Sequence, residues 1–217
     1  MTAHPTKWPN YHEGDFVIKN YVFRSGAILP ELKLHYRTLG TPKRNASGEI
    51  INGVLLLQGN TGTGANWLRP SLADELFGPE QPLDATQNLV IMPDAIGRGG
   101  SSKPSDGLKG NLPHYRCHDM VESGYRLITG GLGIAHLRLV IGSSMGGMHA
   151  WMWAEMYPDL MDGVVPISCQ PVEISGRKLA RPPRPGRSDP AGPRLEQWLL
   201  RNQPAALHLC CRGEFRH

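Results

Sequence analysis

The sequence predicts a three-layer α/β domain with a mainly parallel sheet. Three observations carry this prediction. Short runs dense in Val, Leu and Ile occur at GVLLLQG (53–59), NLVIMPD (88–94) and LRLVI (137–141), as expected of strands buried on both faces. Segments with helical spacing of apolar residues lie between them. A glycine-rich turn follows each of these strands, after residues 58, 94 and 142, and chemistry in parallel sheets gathers at the carboxyl ends of strands.

The elements follow in order. DFVIKNYVF (15–23) and LKLHYRTLG (32–40) alternate apolar with polar residues and read as two strands joined by a turn. TPKRNASGE (41–49) is a surface loop. After the strand at 53–59, TGTGANWL turns into a helix around 70–77. The strand at 88–94 ends in IGRGGSSKP, a second glycine-rich loop. Within 118–134, Met120, Val121, Tyr125, Leu127, Ile128 and Leu132 have roughly helical spacing, and glycines stop the helix. After the strand at 137–141, MGGMHAWMWAEMYP (145–158) is a helix closed by Tyr157-Pro158. DGVVPISC (162–169) is a further buried strand, the sixth in all.

The chain has 217 residues, 40% apolar and 19% charged, enough for one domain with a sizeable core. Its net charge of +4 is unevenly spread: residues 1–176 carry −2 and residues 177–217 carry +6. The last segment holds eight Arg and six Pro and lacks Val, Ile, Thr, Tyr and Met, a composition that reads as a disordered tail. The expected organisation is therefore a core over 1–176 and a tail over 177–217. A basic tail raises nucleic-acid or membrane-surface binding as a reading, but it lacks interleaved aromatics beyond Trp198 and Phe215, so neither partner is expected. No stretch reaches the roughly 20 apolar residues of a membrane helix, and the N-terminus lacks a secretory layout. These features imply a soluble, cytoplasmic protein. Cys117, Cys169, Cys210 and Cys211 show no metal-ligand spacing and read as free thiols. No metal or other cofactor is expected.

The chemistry concentrates at GSSMGGM (142–148). Gly142-Ser143-Ser144-Met145-Gly146 fits Gly-x-Ser-x-Gly between a strand and a helix. In that context the serine takes a strained conformation in a sharp turn, and its neighbours two positions away must be almost free of side chain. Ser144 is thereby exposed at a helix N-terminus, where free amides favour a developing negative charge. Two amide donors are expected for an oxyanion: the N–H of Met145, and that of Asn60 in the loop QGNTGTG (58–64).

VLLLQGNTGTG, VIMPDAIGRGGSS and HLRLVIGSSMGGMHAWMWAEMYPDLMDGVVPIS together resemble the α/β-hydrolase superfamily, in particular its homoserine O-acetyltransferase-like branch. The Asp-x-x-Gly-x-Gly-x-Ser stretch at Asp94–Ser101 adds to the resemblance, which spans roughly residues 14–178. It implies a Ser–His–Asp triad that moves an acyl group through an acyl-serine intermediate, acting as ester hydrolase or O-acyltransferase. It implies a small-molecule ester or acyl donor such as an acyl-CoA, and homodimers in the full-length family. Asp94 would shape a turn and would not orient the histidine. The sequence departs from the transferases at Gln58-Gly59-Asn60, where they tend to carry a His-Ala-Leu-like stretch, and at His149, where they tend to carry Gln. Both departures leave the acyl acceptor open.

In this fold the acid and the histidine follow the serine, on loops after later strands. Six of the usual eight strands are read here, so the expected fold is incomplete, with the last two missing. His149 lies about 140° around the helix from Ser144 and points away. His208 and His217 fall in the tail, His114 and His118 lie upstream, and His35 and His136 belong in or before strands. Asp159, Asp162 and Asp189 are equally unsuited as the acid. The expectation is that this chain lacks its triad Asp and His and is impaired, through a shifted reading frame or otherwise altered end near residue 177. The alternative is an inactive fragment or pseudoenzyme acting as an interaction module. An apolar sixth strand left at the sheet edge predicts poor solubility.

Overall fold

Alternation of apolar and polar residues in the first two segments produces a hairpin. β1 (His12–Val22) and β2 (Ile28–Leu39) pair antiparallel, with Phe16 opposite Leu34 and Ile18 opposite Leu32. The computed structural model describes residues 8–171, so the segment at 177–217 lies outside the described residues. The apolar runs form β3 (Gly53–Leu57), β4 (Leu89–Pro93), β5 (Leu137–Ser143) and β6 (Val164–Ile167). All six described strands join one sheet in the order β1-β2-β4-β3-β5-β6. β4, β3, β5 and β6 are mutually parallel, and β2 joins β4 antiparallel.

Among the described residues three α-helices cover the sheet: α1 (Pro70–Leu76), α2 (Cys117–Arg126) and α3 (Met145–Met156). Successive strand residues face opposite sides, and the core divides accordingly. Leu55, Ile91 and Val140 pack with Val121, Ile128, Ala150 and Trp153 on the side of α2 and α3. Val54, Leu56, Val90, Met92 and Ile141 pack with Trp67, Leu68, Ala73 and Phe77 on the side of α1. This two-sided burial explains why the central runs contain almost no polar residue. The chain belongs to the three-layer class read from the sequence.

Three local features differ from the sequence reading. The segment after α2 does not simply stop at its glycines: it widens into a π turn over Leu127–Gly131, where the Leu132 N–H donates to the Leu127 carbonyl at 2.9 Å. β6 reads as a buried strand, yet Val165 and Ile167 are 40% and 41% exposed. Among the described residues β6 pairs only with β5, so hydrophobic composition alone does not bury it. Cys169 is a free thiol as expected, whereas Cys117 is disulfide-bonded.

Strand order fixes where the functional loops meet. β3 lies between β4 and β5, so the connections from β3 to β4 and from β4 to β5 leave on opposite sides. Such a switch point opens a crevice at the carboxyl ends of the strands. The loops after β3, β4 and β5 are the three glycine-rich turns.

Candidate active site

The turn from β5 into α3 is very tight. Ser144 sits at φ 55 and ψ −116, a conformation that L-residues rarely adopt. Its backbone N–H donates to the Ile167 carbonyl at 2.9 Å, and its carbonyl accepts the Met148 N–H at 3.1 Å. The elbow is thus held by β6 on one side and by the first turn of α3 on the other. The flanking glycines have a steric cause. A Cβ on Gly142 would lie 1.9 Å from the Gly146 carbonyl oxygen, and a Cβ on Gly146 would lie 2.3 Å from that of Leu57. Ser144 itself is exposed.

The loop after β3 lies beside this serine. A Cβ on Gly59 would sit 3.5 Å from Ser144 Cβ. Gln58, Gly59, Asn60, Thr61 and Gly62 line one cleft together with Ser143 and Ser144. Asn66, Trp67, Arg69, Leu72 and Ile167 complete its walls. Met145 is the first residue of α3, and its N–H therefore has no acceptor within the helix. The structure brings Ser144 and Asn60 to the same opening, with the Met145 amide following Ser144 directly.

Asp94 supports this arrangement from below. It is 1% exposed. Its Oδ1 accepts the Gly64 N–H at 2.7 Å and faces Arg37 Nη1 at 2.9 Å, and its Oδ2 accepts the Gly100 N–H at 2.9 Å. The Ser101 hydroxyl donates to the Asp94 carbonyl at 2.7 Å. Gly99 must be glycine, with φ +52 and space for a Cβ only 1.9 Å from Asp94 Oδ2. The Asp-x-x-Gly-x-Gly-x-Ser spacing is therefore a turn closed on its own aspartate. Arg98, at its tip, donates to Asn60 Oδ1 across 3.4 Å, joining the loops after β4 and β3.

Among the described residues lining the cleft there is no His, Asp or Glu. His149 lines a separate interior cavity, and burial pushes its pKa down to about 4. His118 is held below its ordinary value mainly by burial. His35, in β2, lies 2.7 Å from Asp15, and His136 lies 2.7 Å from Asp162, both pairs near the surface. His208, His217 and Asp189 lie outside the described residues. Sequence reasoning missed Asn66, Trp67, Arg69, Leu72 and Ile167 as walls of the cleft and Arg37 as the partner of Asp94. Only the nearness of the first four to the glycine-rich loop gave any signal.

A mainly parallel sheet with a switch point at β3, a strained serine after β5 and a glycine-rich loop facing it define the α/β-hydrolase fold. The alpha/beta hydrolase fold family matches residues 52–202, and the chain belongs to it. Among individual relatives, a "probable acyltransferase" of Methanothermobacter thermautotrophicus is 34% identical over 154 residues, covering 70% of this chain and 46% of that protein. The homoserine O-acetyltransferase of Chlorobaculum parvum is 33% identical over 163 residues, covering 71% of this chain and 42% of its own. An acetylester hydrolase from Corynebacterium glutamicum matches in structure with a TM-score of 0.65 at 25% identity, over 75% of this chain and 46% of that one. The chain spans less than half the length of each of these proteins. No helix among the described residues is long and apolar enough to cross a membrane.

Proposed function

We propose that this chain carries the nucleophile half of a serine acyl-transfer site of the ester hydrolase or O-acyltransferase type. Ser144 Oγ attacks the carbonyl carbon of a small-molecule ester or acyl donor such as an acyl-CoA. The new Oγ–C bond gives a tetrahedral oxyanion held by the N–H groups of Met145 and Asn60. Collapse breaks the bond to the leaving alkoxide or thiolate, leaves an acyl-serine, and passes the serine proton to the leaving group. Water or an acceptor alcohol then takes the acyl group. The observation that carries this reading is Ser144: exposed, strained at φ 55, at the first turn of a helix, with Asn60 in the same cleft.

The proton transfers require a base, and no histidine lines the cleft among the described residues. We therefore expect slow acylation by this chain alone. A site without its triad histidine keeps only the oxyanion donors, and turnover falls by orders of magnitude. The same observation favours a second reading, an inactive fragment or pseudoenzyme that acts as an interaction module. A fluorophosphonate probe separates the two. Phosphonylation of Ser144, abolished in Ser144→Ala, supports the nucleophile. Absence of labelling in folded protein at high probe concentration leaves the second reading.

A further inference from the structure

The interior behind the elbow holds a polar group that the fold leaves without a partner. His149 is 5% exposed, and its Nε2 makes no hydrogen bond. It lines a cavity of about 30 Å³ between α3, α2 and the end of β3. A water needs only about 10–15 Å³ measured in this way, so the cavity has room for one or two. Its walls are largely apolar, but Gln58, Asp94 and Ser123 also contribute to them.

We propose that this cavity binds a structural water, held by His149 Nε2 and by the polar groups of Gln58 and Ser123. Each group has capacity to spare. In the orientation that satisfies the Gln58 amide, its nitrogen donates to the Pro93 carbonyl at 2.7 Å and its oxygen accepts the Ala95 N–H at 2.6 Å. One N–H and one lone pair of the amide remain. The Ser123 hydroxyl donates to the Met120 carbonyl at 3.0 Å, and its lone pairs remain. A neutral imidazole offers either a donor or an acceptor at Nε2, according to tautomer, and water can answer both.

The site has a structural consequence. Gln58 begins the loop that carries Asn60, His149 lies in the helix that begins at Ser144, and Ser123 lies in α2. One water touching all three joins the serine elbow, the facing loop and a covering helix through the core. Its partners are buried, which shields the water from bulk.

The test is a crystal structure of the chain to about 1.8 Å, read together with water–protein cross-relaxation in histidine-labelled protein. The expected density is a single ordered water at hydrogen-bond distance, about 2.7–3.2 Å, from His149 Nε2. The spectra should show a cross-peak between water and the His149 ring, of the sign given by a bound water. In His149→Leu the density at this position should disappear. A dry cavity, a direct bond from Nε2 to a protein atom, or a water unaffected by His149→Leu overturns the proposal.

Discussion

Arg37 on β2 and Asp94 at the end of β4 form an ion pair with 2.9 Å between Nη1 and Oδ1, and the aspartate side chain is fully buried. The same carboxylate anchors the Gly64 and Gly100 amides. One charge thus closes the loop after β4 and holds the far end of the loop that contains Asn60. Glu13 also reaches Arg37, at 3.2 Å.

Asp94→Asn should destabilise the protein by about 3 kcal/mol or more. The substitution leaves the guanidinium facing a neutral amide and turns an NH₂ toward backbone donors, and removing one partner of a buried pair is strongly destabilising. The measurement is urea unfolding with unchanged slope. A loss below about 1 kcal/mol would show that Glu13 alone satisfies Arg37.

Backbone strain at Ser144 makes a different prediction. Holding a non-glycine residue in this conformation costs about 1–3 kcal/mol, and glycine adopts it freely. Ser144→Gly should therefore be more stable than Ser144→Ala by about that amount. Neither variant should accept a serine-directed probe. Equal midpoints for the two would remove strain as an account of this turn.

His149 gives the protein an acid sensitivity whose sign follows from its pKa, lowered by burial from 6.5 to about 4. The unfolded chain takes up a proton near the ordinary value, while the folded protein resists it. Stability from this group is complete above about pH 6.5 and is lost as pH falls toward 4. The full loss is about 3 kcal/mol, at 1.36 kcal/mol per pKa unit. Asp94 lines the same cavity, but its charge is engaged by Arg37. Unfolding midpoints at pH 7 and pH 4.5 should differ in the natural chain and differ less in His149→Gln.

β6 should govern solution behaviour. Val165 and Ile167 are exposed, and Trp151 on α3 is 41% exposed. β6 ends the sheet among the described residues, and an apolar edge strand offers unpaired backbone groups to other chains. Val165→Lys should increase the monomer fraction in sedimentation without lowering the unfolding midpoint. No change in association would place the sticky surface elsewhere.

What the sequence determined by itself is local and periodic. Runs of Val, Leu and Ile buried on both faces specified the central strands, and alternation specified the hairpin. The glycine spacing around Ser144 and after Asp94 marked both turns, because close backbone approach excludes a side chain at Gly142 and Gly146, and positive φ excludes one at Gly97 and Gly99. The rest depends on strand order. Placing β3 between β4 and β5 sets Asn60 beside Ser144, makes Trp67, Arg69 and Leu72 walls of one cleft, and carries Arg37 from a distant strand to Asp94. The same order leaves β6 beside β5 alone among the described strands, so a run that reads as buried stays half exposed. Burial and pairing are properties of neighbours that the chain brings together from far apart, and no local pattern of residues encodes them.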